Sequence, residues 1–211
     1  MRRWFIGLLA ALTCTLTAAA AEPASQLRYV ELFQAQPVET GDKVEVRELF
    51  WYGCPHCFDL EPVLDRWIEN KPDNVVFVRT PAVLRESWAP HAQAYFAFEA
   101  MGLVDTLHRP FFDALHLKKQ NLATAGSIAD WVAEQGVDRQ KFLDTYNSFA
   151  VNSRVGQARL VGRRYEADGV PTMIVDGKYR TSASMAGGHE ALIKVIEALV
   201  QKAANERGTG G

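Results

Sequence analysis

The sequence predicts an α/β chain interrupted by an all-helical insertion, and three features predict it. A β-branched and aromatic run, Val44-Glu45-Val46-Arg47-Glu48-Leu49-Phe50-Trp51-Tyr52, leads into a helical pattern and then into Val75-Val76-Phe77-Val78, which is the signature of a βαβ unit. From residue 86 to about 166 apolar side chains recur at helical spacing, with no strand pattern among them. Strand patterns return at 170–176 and 178–181, before a last amphipathic helix. No internal repeat is visible, so the helical stretch reads as a subdomain inserted into one folding unit.

Each element follows from local chemistry. Residues 29–33 read as a short first strand and 44–52 as a second, which Gly53-Cys54-Pro55 breaks. From Pro55 onwards Phe58, Leu60, Val63, Leu64, Trp67 and Ile68 recur every three or four residues, until Asn70-Lys71-Pro72 ends the helix. Pro62 lies within it; the lost backbone donor predicts a kink rather than a stop, because the periodicity continues. The insertion reads as helices over 88–101, 104–117, 127–135, 139–148 and 151–166. Asp176-Gly177 is a hairpin turn signal. The last helix runs from His189 to about Asn205, and Gly208-Thr209-Gly210-Gly211 reads as a frayed tail. The divisions are therefore 22–85 for the first α/β part, 86–150 for the insertion, 151–207 for the second α/β part and 208–211 for the tail.

The first 21 residues read as an address. Met1-Arg2-Arg3 is positive, residues 4–16 are mostly apolar, and Ala18-Ala19-Ala20-Ala21 offers small residues for cleavage. The apolar run falls short of the roughly 20 residues that span a bilayer. Thr13 before Cys14 is a poor lipidation context. Cleavage leaves 190 residues with 21 basic and 25 acidic side chains, net −4, in an oxidising compartment, a bacterial periplasm.

Composition excludes several classes. With 48% hydrophobic and 23% charged residues the chain is neither disordered nor low-complexity. Its negative charge leaves no basic footprint for nucleic acid. Three cysteines are too few to staple a small scaffold, and without Cys14 two remain, Cys54 and Cys57.

Those two sit in Cys54-Pro55-His56-Cys57, where a strand ends and a helix starts. Pro55 suits the first helical position, where its missing N–H costs nothing. Cys54 is then the N-cap, facing unpaired backbone donors and the positive end of the helix dipole, which favour a thiolate. His56 favours it further. Cys57, one turn on, is the less accessible sulfur, so Cys54 is the attacking sulfur and Cys57 the resolving one. Stabilising the Cys54 thiolate stabilises the reduced form and makes the disulfide a stronger oxidant. A purely structural bridge closing so small a loop would contribute only about 2 kcal/mol. Zinc would need more ligands, and His91, His108, His116 and His189 form no ligand pattern. Haem attachment needs His where Phe58 stands.

The run Phe50-Trp51-Tyr52-Gly53-Cys54-Pro55-His56-Cys57, the run Gly169-Val170-Pro171-Thr172 and the helical block between them resemble the DsbA family of the thioredoxin superfamily over essentially the whole mature chain. The resemblance implies a thioredoxin fold with an inserted helical subdomain. It implies a protein disulfide oxidoreductase that donates its disulfide to reduced, unfolded exported polypeptides. It also implies a monomer, reoxidised by a DsbB-type, quinone-linked membrane partner, with no metal or organic cofactor. Val170-Pro171 resembles the family's cis-proline loop, where an extended substrate pairs with an exposed backbone edge. Glu48 resembles the buried acid near the disulfide, and strand parity puts it on one face with Val44, Val46 and Phe50. Such a carboxyl can relay a proton to or from Cys57. Glu61 reads either as a weak tuner of the site or as a solvated helix residue, and Arg154, Arg159, Arg163 and Arg164 as a solvated face. Thr172 and Pro62 match other thioredoxin-like proteins as well as this family. The alternatives are a reductase or isomerase using the same site, or a peptide-binding chaperone. Against the isomerase, residues 22–28 leave no room for a dimerisation domain; a related glutathione-linked branch generally lacks the CxxC pair.

Overall fold

Strand β2 (Val44–Phe50) is buried at every position but Arg47, a pattern that belongs inside a sheet rather than at its edge. The structure, a computed structural model, describes residues 28–209; the predicted signal segment and the last two glycines lie outside the described residues. Around β2 are β1 (Val30–Glu31), β3 (Val75–Pro81), β4 (Thr172–Val175) and β5 (Tyr179–Thr181), in the order β1-β5-β4-β2-β3. Only the β2–β3 pair is parallel, and helix α1 (Pro55–Asn70) connects the two strands as the βαβ pattern requires. The other pairs are antiparallel.

The sheet is covered on both faces. Val44 and Val46 pack with Leu60 and Leu64 of α1 and with Leu192, Ile196 and Leu199 of α9 (His189–Thr209). On the other face Leu49 and Ile174 meet Val161, Tyr165 and Ala167. The helical block comprises a 3-10 turn at Glu86–Trp88, then α2 (Ala89–Ala100), α3 (Val104–His116), α4 (Ala125–Glu134), α5 (Arg139–Tyr146) and α6 (Phe149–Ala158), and so runs past the boundary expected at 150, because Val151, Val155 and Ala158 pack into its core. Its core of Phe98, Phe111, Ile128, Trp131 and Phe142 is continuous with Phe50, Tyr52, Cys54 and Cys57, so the helical block is packed onto the end of β2 and the start of α1.

Sequence periodicity and structure part in four places. The single helix predicted over 151–166 is two, α6 and α7 (Val161–Arg164), because the halves face different cores: Val151, Val155 and Ala158 enter the helical block, whereas Val161 and Tyr165 turn onto the sheet. The predicted first strand shrinks to two residues, with Phe33 almost fully exposed beyond it. A short helix, α8 (Ala183–Ala186), appears where periodicity had too few residues to show, capped by Ser182 and ended by Gly187 at φ +95. Finally, α9 continues past Asn205 and takes in Gly208 and Thr209, which were expected to fray. Its last turns are tied to the β4–β5 hairpin, with Arg207 donating to Asp176 and Tyr179 donating to Glu206 at 2.5 Å.

That hairpin turns where the sequence predicts. Asp176 and Gly177 both have positive φ, +54 and +65, as a primed turn requires. A Cβ on Gly177 would lie 2.1 Å from the Gln36 carbonyl oxygen, whereas one on Gly136, also at positive φ, would meet nothing within 4 Å. Gly136→Ala is therefore expected to cost about 1 kcal/mol, for the left-handed backbone alone. Gly177→Ala adds a main-chain clash and should cost about 3 kcal/mol. Urea denaturation of the two variants checks the difference.

Candidate active site

The chain leaves β2 at Phe50 and enters α1 at Pro55, so the intervening residues are held between two rigid elements. Cys54 is the N-cap, with φ −88 and ψ 118, and Pro55 follows it in the first turn. Its N–H donates to Trp51 O at 2.9 Å, and its carbonyl accepts from Phe58 N at 3.1 Å. Gly53 is compelled by packing: a Cβ there would sit 2.2 Å from the Trp51 ring, which stacks on Trp88 at 4.4 Å and 3°. Cys54 retains 7% exposure, Cys57 has none, and both are free thiols. His56 is exposed on the same turn.

The two thiols are driven apart. The Cys57 thiol donates a hydrogen bond to Cys54 and, with the backbone N–H groups of Cys57 and His56 and the charge of His56, outweighs burial and lowers Cys54 to about 6. Burial raises Cys57 well above the ordinary thiol range, helped by its donation to Cys54 and by the nearby Glu48 carboxyl. One sulfur is thus a thiolate at neutral pH and the other a thiol.

Opposite the pair lies the loop before β4. The Val170–Pro171 peptide bond is cis, and the Cys54 Sγ approaches Val170 O at 3.5 Å. Thr172 Oγ1 donates to Gly169 O at 2.8 Å and braces the loop from within. A cavity of about 210 Å³ opens beside it, lined by His56, Pro171, Ser182, Ser184 and His189 among others.

Beneath the sulfurs is a charge network. Glu48 is fully buried, and burial followed by repulsion from Glu61 raises its carboxyl to about 8, against the attraction of Arg79. Arg79 stands beside it in β3 at the paired register position, with Nε 3.5 Å from Glu48 Oε2 and a terminal nitrogen 3.0 Å from Glu61 Oε2. Glu61 is 1% exposed, so its reading as a solvated helix residue is overturned: α1 turns it inward, towards Arg79. His108 completes the network, its Nε2 3.4 Å from Glu61 Oε2 and its Nδ1 2.8 Å from the Tyr52 hydroxyl.

Sequence reasoning therefore singled out Cys54, Pro55, His56, Cys57, Glu48, Val170 and Pro171, and the fold brings all seven to one place. It missed Arg79, His108 and Tyr52. Arg79 lies just past the apolar run Val75–Val78, and only strand register puts it beside Glu48. The basic side chains at 154 and 159 are tied up at the surface, Arg154 against Glu99 and Phe96, and Arg159 on Glu86.

A thiol pair at the N-terminus of the helix after a central strand, with a cis-proline facing it, defines a thioredoxin-like thiol–disulfide oxidoreductase. Residues 45–199 match the family model described as DSBA-like thioredoxin domain. The chain is 43% identical over 196 residues to the thiol:disulfide interchange protein DsbA of Pseudomonas syringae, covering 92% of each. It is 44% identical to that of Pseudomonas aeruginosa over 82% of each chain. The crystal structure of Pseudomonas aeruginosa DsbA superposes with a TM-score of 0.81, covering 85% of this chain and 93% of that one. The Xylella fastidiosa DsbA structure does so at 0.77 with 30% identity. The chain belongs to the DsbA family.

Two outcomes follow from the thiol chemistry. Titrating thiolate absorbance should show one group near pH 6, and Cys57→Ala should raise that midpoint more than His56→Ala does, since the Cys57 hydrogen bond dominates. Because the folded value lies below the ordinary thiol value of 9.0, Cys54 stabilises the reduced form above that value and loses the contribution as pH falls towards 6. The stability of the reduced form relative to the disulfide form should accordingly rise from pH 6 to 9, as read by thermal denaturation.

Proposed function

We propose that the protein oxidises newly exported polypeptides in the periplasm by donating the Cys54–Cys57 disulfide. One observation carries the direction: Cys54 is held as a thiolate at the helix N-cap, which stabilises the dithiol product and makes the disulfide an electron acceptor.

The steps balance with the groups present. A substrate thiolate attacks Cys54 Sγ, the Cys54–Cys57 bond breaks, and Cys57 departs as a thiolate that takes up the Glu48 proton. The substrate is now a mixed disulfide on Cys54. A second substrate thiolate attacks the substrate sulfur of that bond, the substrate disulfide forms, and Cys54 leaves as a stable thiolate. The low pKa of Cys54 speeds this last departure. Val170 and the cis-Pro171 loop offer the backbone edge on which an extended substrate aligns its cysteine with Cys54.

The dithiol must then pass two electrons on, and a DsbB-type membrane partner linked to quinone is the acceptor in this reading. The positive and apolar start of the chain at 1–21 supports export, and no described helix is long and apolar enough to cross a membrane. A monomer suffices, because one chain holds the sulfur pair, the loop and the buried acid. No metal or organic cofactor takes part in any step.

Equilibrating the protein with glutathione buffers and mixing it with a reduced, unfolded substrate tests this. A strongly oxidising potential and rapid disulfide transfer are expected, with transfer abolished in Cys54→Ser. A thioredoxin-like potential would sink the oxidase direction, and suppression of aggregation without transfer would turn the reading into that of a chaperone.

A further inference from the structure

His108, one of two buried histidines of the insertion, has no part in the steps above, yet it touches the charge network under the sulfurs. We propose that His108 is a positioning residue that decides which of two buried carboxyls, Glu48 or Glu61, holds their shared proton, and that it keeps the proton on Glu48. The inference rests on the proposed reaction for its purpose but not for its geometry.

The two carboxyls are unequally served. Glu61 Oε2 accepts from Arg79 at 3.0 Å and faces His108 Nε2 at 3.4 Å. Neither oxygen of Glu48 has a hydrogen-bond partner, and its nearest cationic nitrogen is Arg79 Nε at 3.5 Å. Two carboxylates this close to one guanidinium do not both ionise readily, so the better-solvated site takes the charge and the other takes the proton. His108 supplies much of that inequality. Its Nδ1 lies 2.8 Å from the buried Tyr52 hydroxyl; with that hydroxyl as the donor, Nδ1 accepts and the ring hydrogen sits on Nε2, the nitrogen that faces Glu61. Phe50, Tyr95 and Phe112 box the ring in at centroid distances of 5.3, 6.0 and 5.2 Å, so it cannot swing away. Burial opposes its protonation, so it acts on Glu61 as a neutral N–H dipole across 3.4 Å, short of a full hydrogen bond, rather than as a cation.

Every packed element contributes a charge or a titratable group here. Strand β2 and its loop bring Glu48 and Tyr52, α1 brings Glu61 and Asp65, and β3 brings Arg79. Helix α2 brings His91 and Tyr95, and α3 brings Arg109 beside His108. Asp65 is half-exposed, and Arg79 favours charge on Glu61, 3.0 Å away, over Glu48, 3.5 Å away, but it reaches both carboxyls, whereas His108 approaches Glu61. The consequence is chemical. A proton on Glu48 neutralises the group that interacts with Cys57 and is there for the departing thiolate. A proton moved to Glu61 would leave Glu48 charged against that same sulfur.

Carboxyl-carbon NMR of the full chain near pH 6, with glutamate labelled, reads the proton directly. In the unaltered protein Glu48 should be protonated and Glu61 ionised. His108→Phe, which keeps the ring and removes the N–H, should move proton occupancy onto Glu61 and raise that carboxyl's midpoint by about one pH unit. His108→Gln, with an amide N–H in its place, should return the proton to Glu48. Tyr52→Phe frees Nδ1 and should give a partial transfer; it decides alone if His108→Phe does not fold. The rate of disulfide cleavage by a model thiol near pH 6 should fall about tenfold in His108→Phe. Glu48 remaining the sole protonated carboxyl in both phenylalanine variants overturns the proposal, as does the same transfer in His108→Gln. Because the titration does not depend on oxidase activity, a chain that failed to oxidise substrate would remove the functional reading and leave this assignment standing.

Discussion

The structure is organised around a sulfur placed at the open end of a helix. The first turn of an α-helix has backbone donors with no partner within the helix, and α1 presents them where β2 ends, with Cys54 as the residue that faces them. A thiolate there is served by main-chain N–H groups that only proline would remove, and by the neighbouring Cys57 thiol. The tight path from Phe50 to Pro55, the glycine under the Trp51 ring and the cis peptide bond opposite all keep one sulfur of a buried pair within reach of a partner.

The insertion gives that sulfur a dry setting. Its aromatic core does not stand apart from the α/β part: Phe50 and Tyr52 are as much members of it as Phe111 and Phe112, with Tyr52 and Phe111 rings 4.6 Å apart. Near the sheet, Phe58 is held between the His116 ring, stacked at 4.9 Å, and the Arg109 guanidinium at 4.8 Å. Dryness has a cost, since Glu48 and Glu61 are buried together beside a partly buried Arg79. Buried charge is tolerated where it is paired, and the surplus carboxyl resolves the imbalance by staying protonated.

Most of the elements were legible because their periods are local properties. α1 begins and ends at the residues its apolar spacing and flanking prolines predict, and the Asp176-Gly177 turn needs only its two residues. What was not legible depends on which core an apolar residue meets. Ala158 and Val161 are at helical spacing, yet one enters the insertion and the other the sheet, and the helix breaks between them. The run past Asn205 holds because Asp176 and Tyr179, distant in sequence, receive its side chains.

The same division holds at the site. The sequence by itself determined the cysteine pair, which of its sulfurs stands at the helix N-cap, and the inward face of the acid, because Cys54-Pro55-His56-Cys57 at a strand–helix junction and Glu48 at its strand position are statements about neighbours in the chain. Tertiary structure alone decided the partners of that acid. Arg79 meets Glu48 through the parallel register of β2 and β3, and His108 meets Glu61 through the docking of α3 on α1, at separations of 31 and 47 residues. Electrostatics in a buried site falls off with distance in space and takes no account of distance along the chain, so a network that sets proton positions becomes visible only when the chain has closed around it.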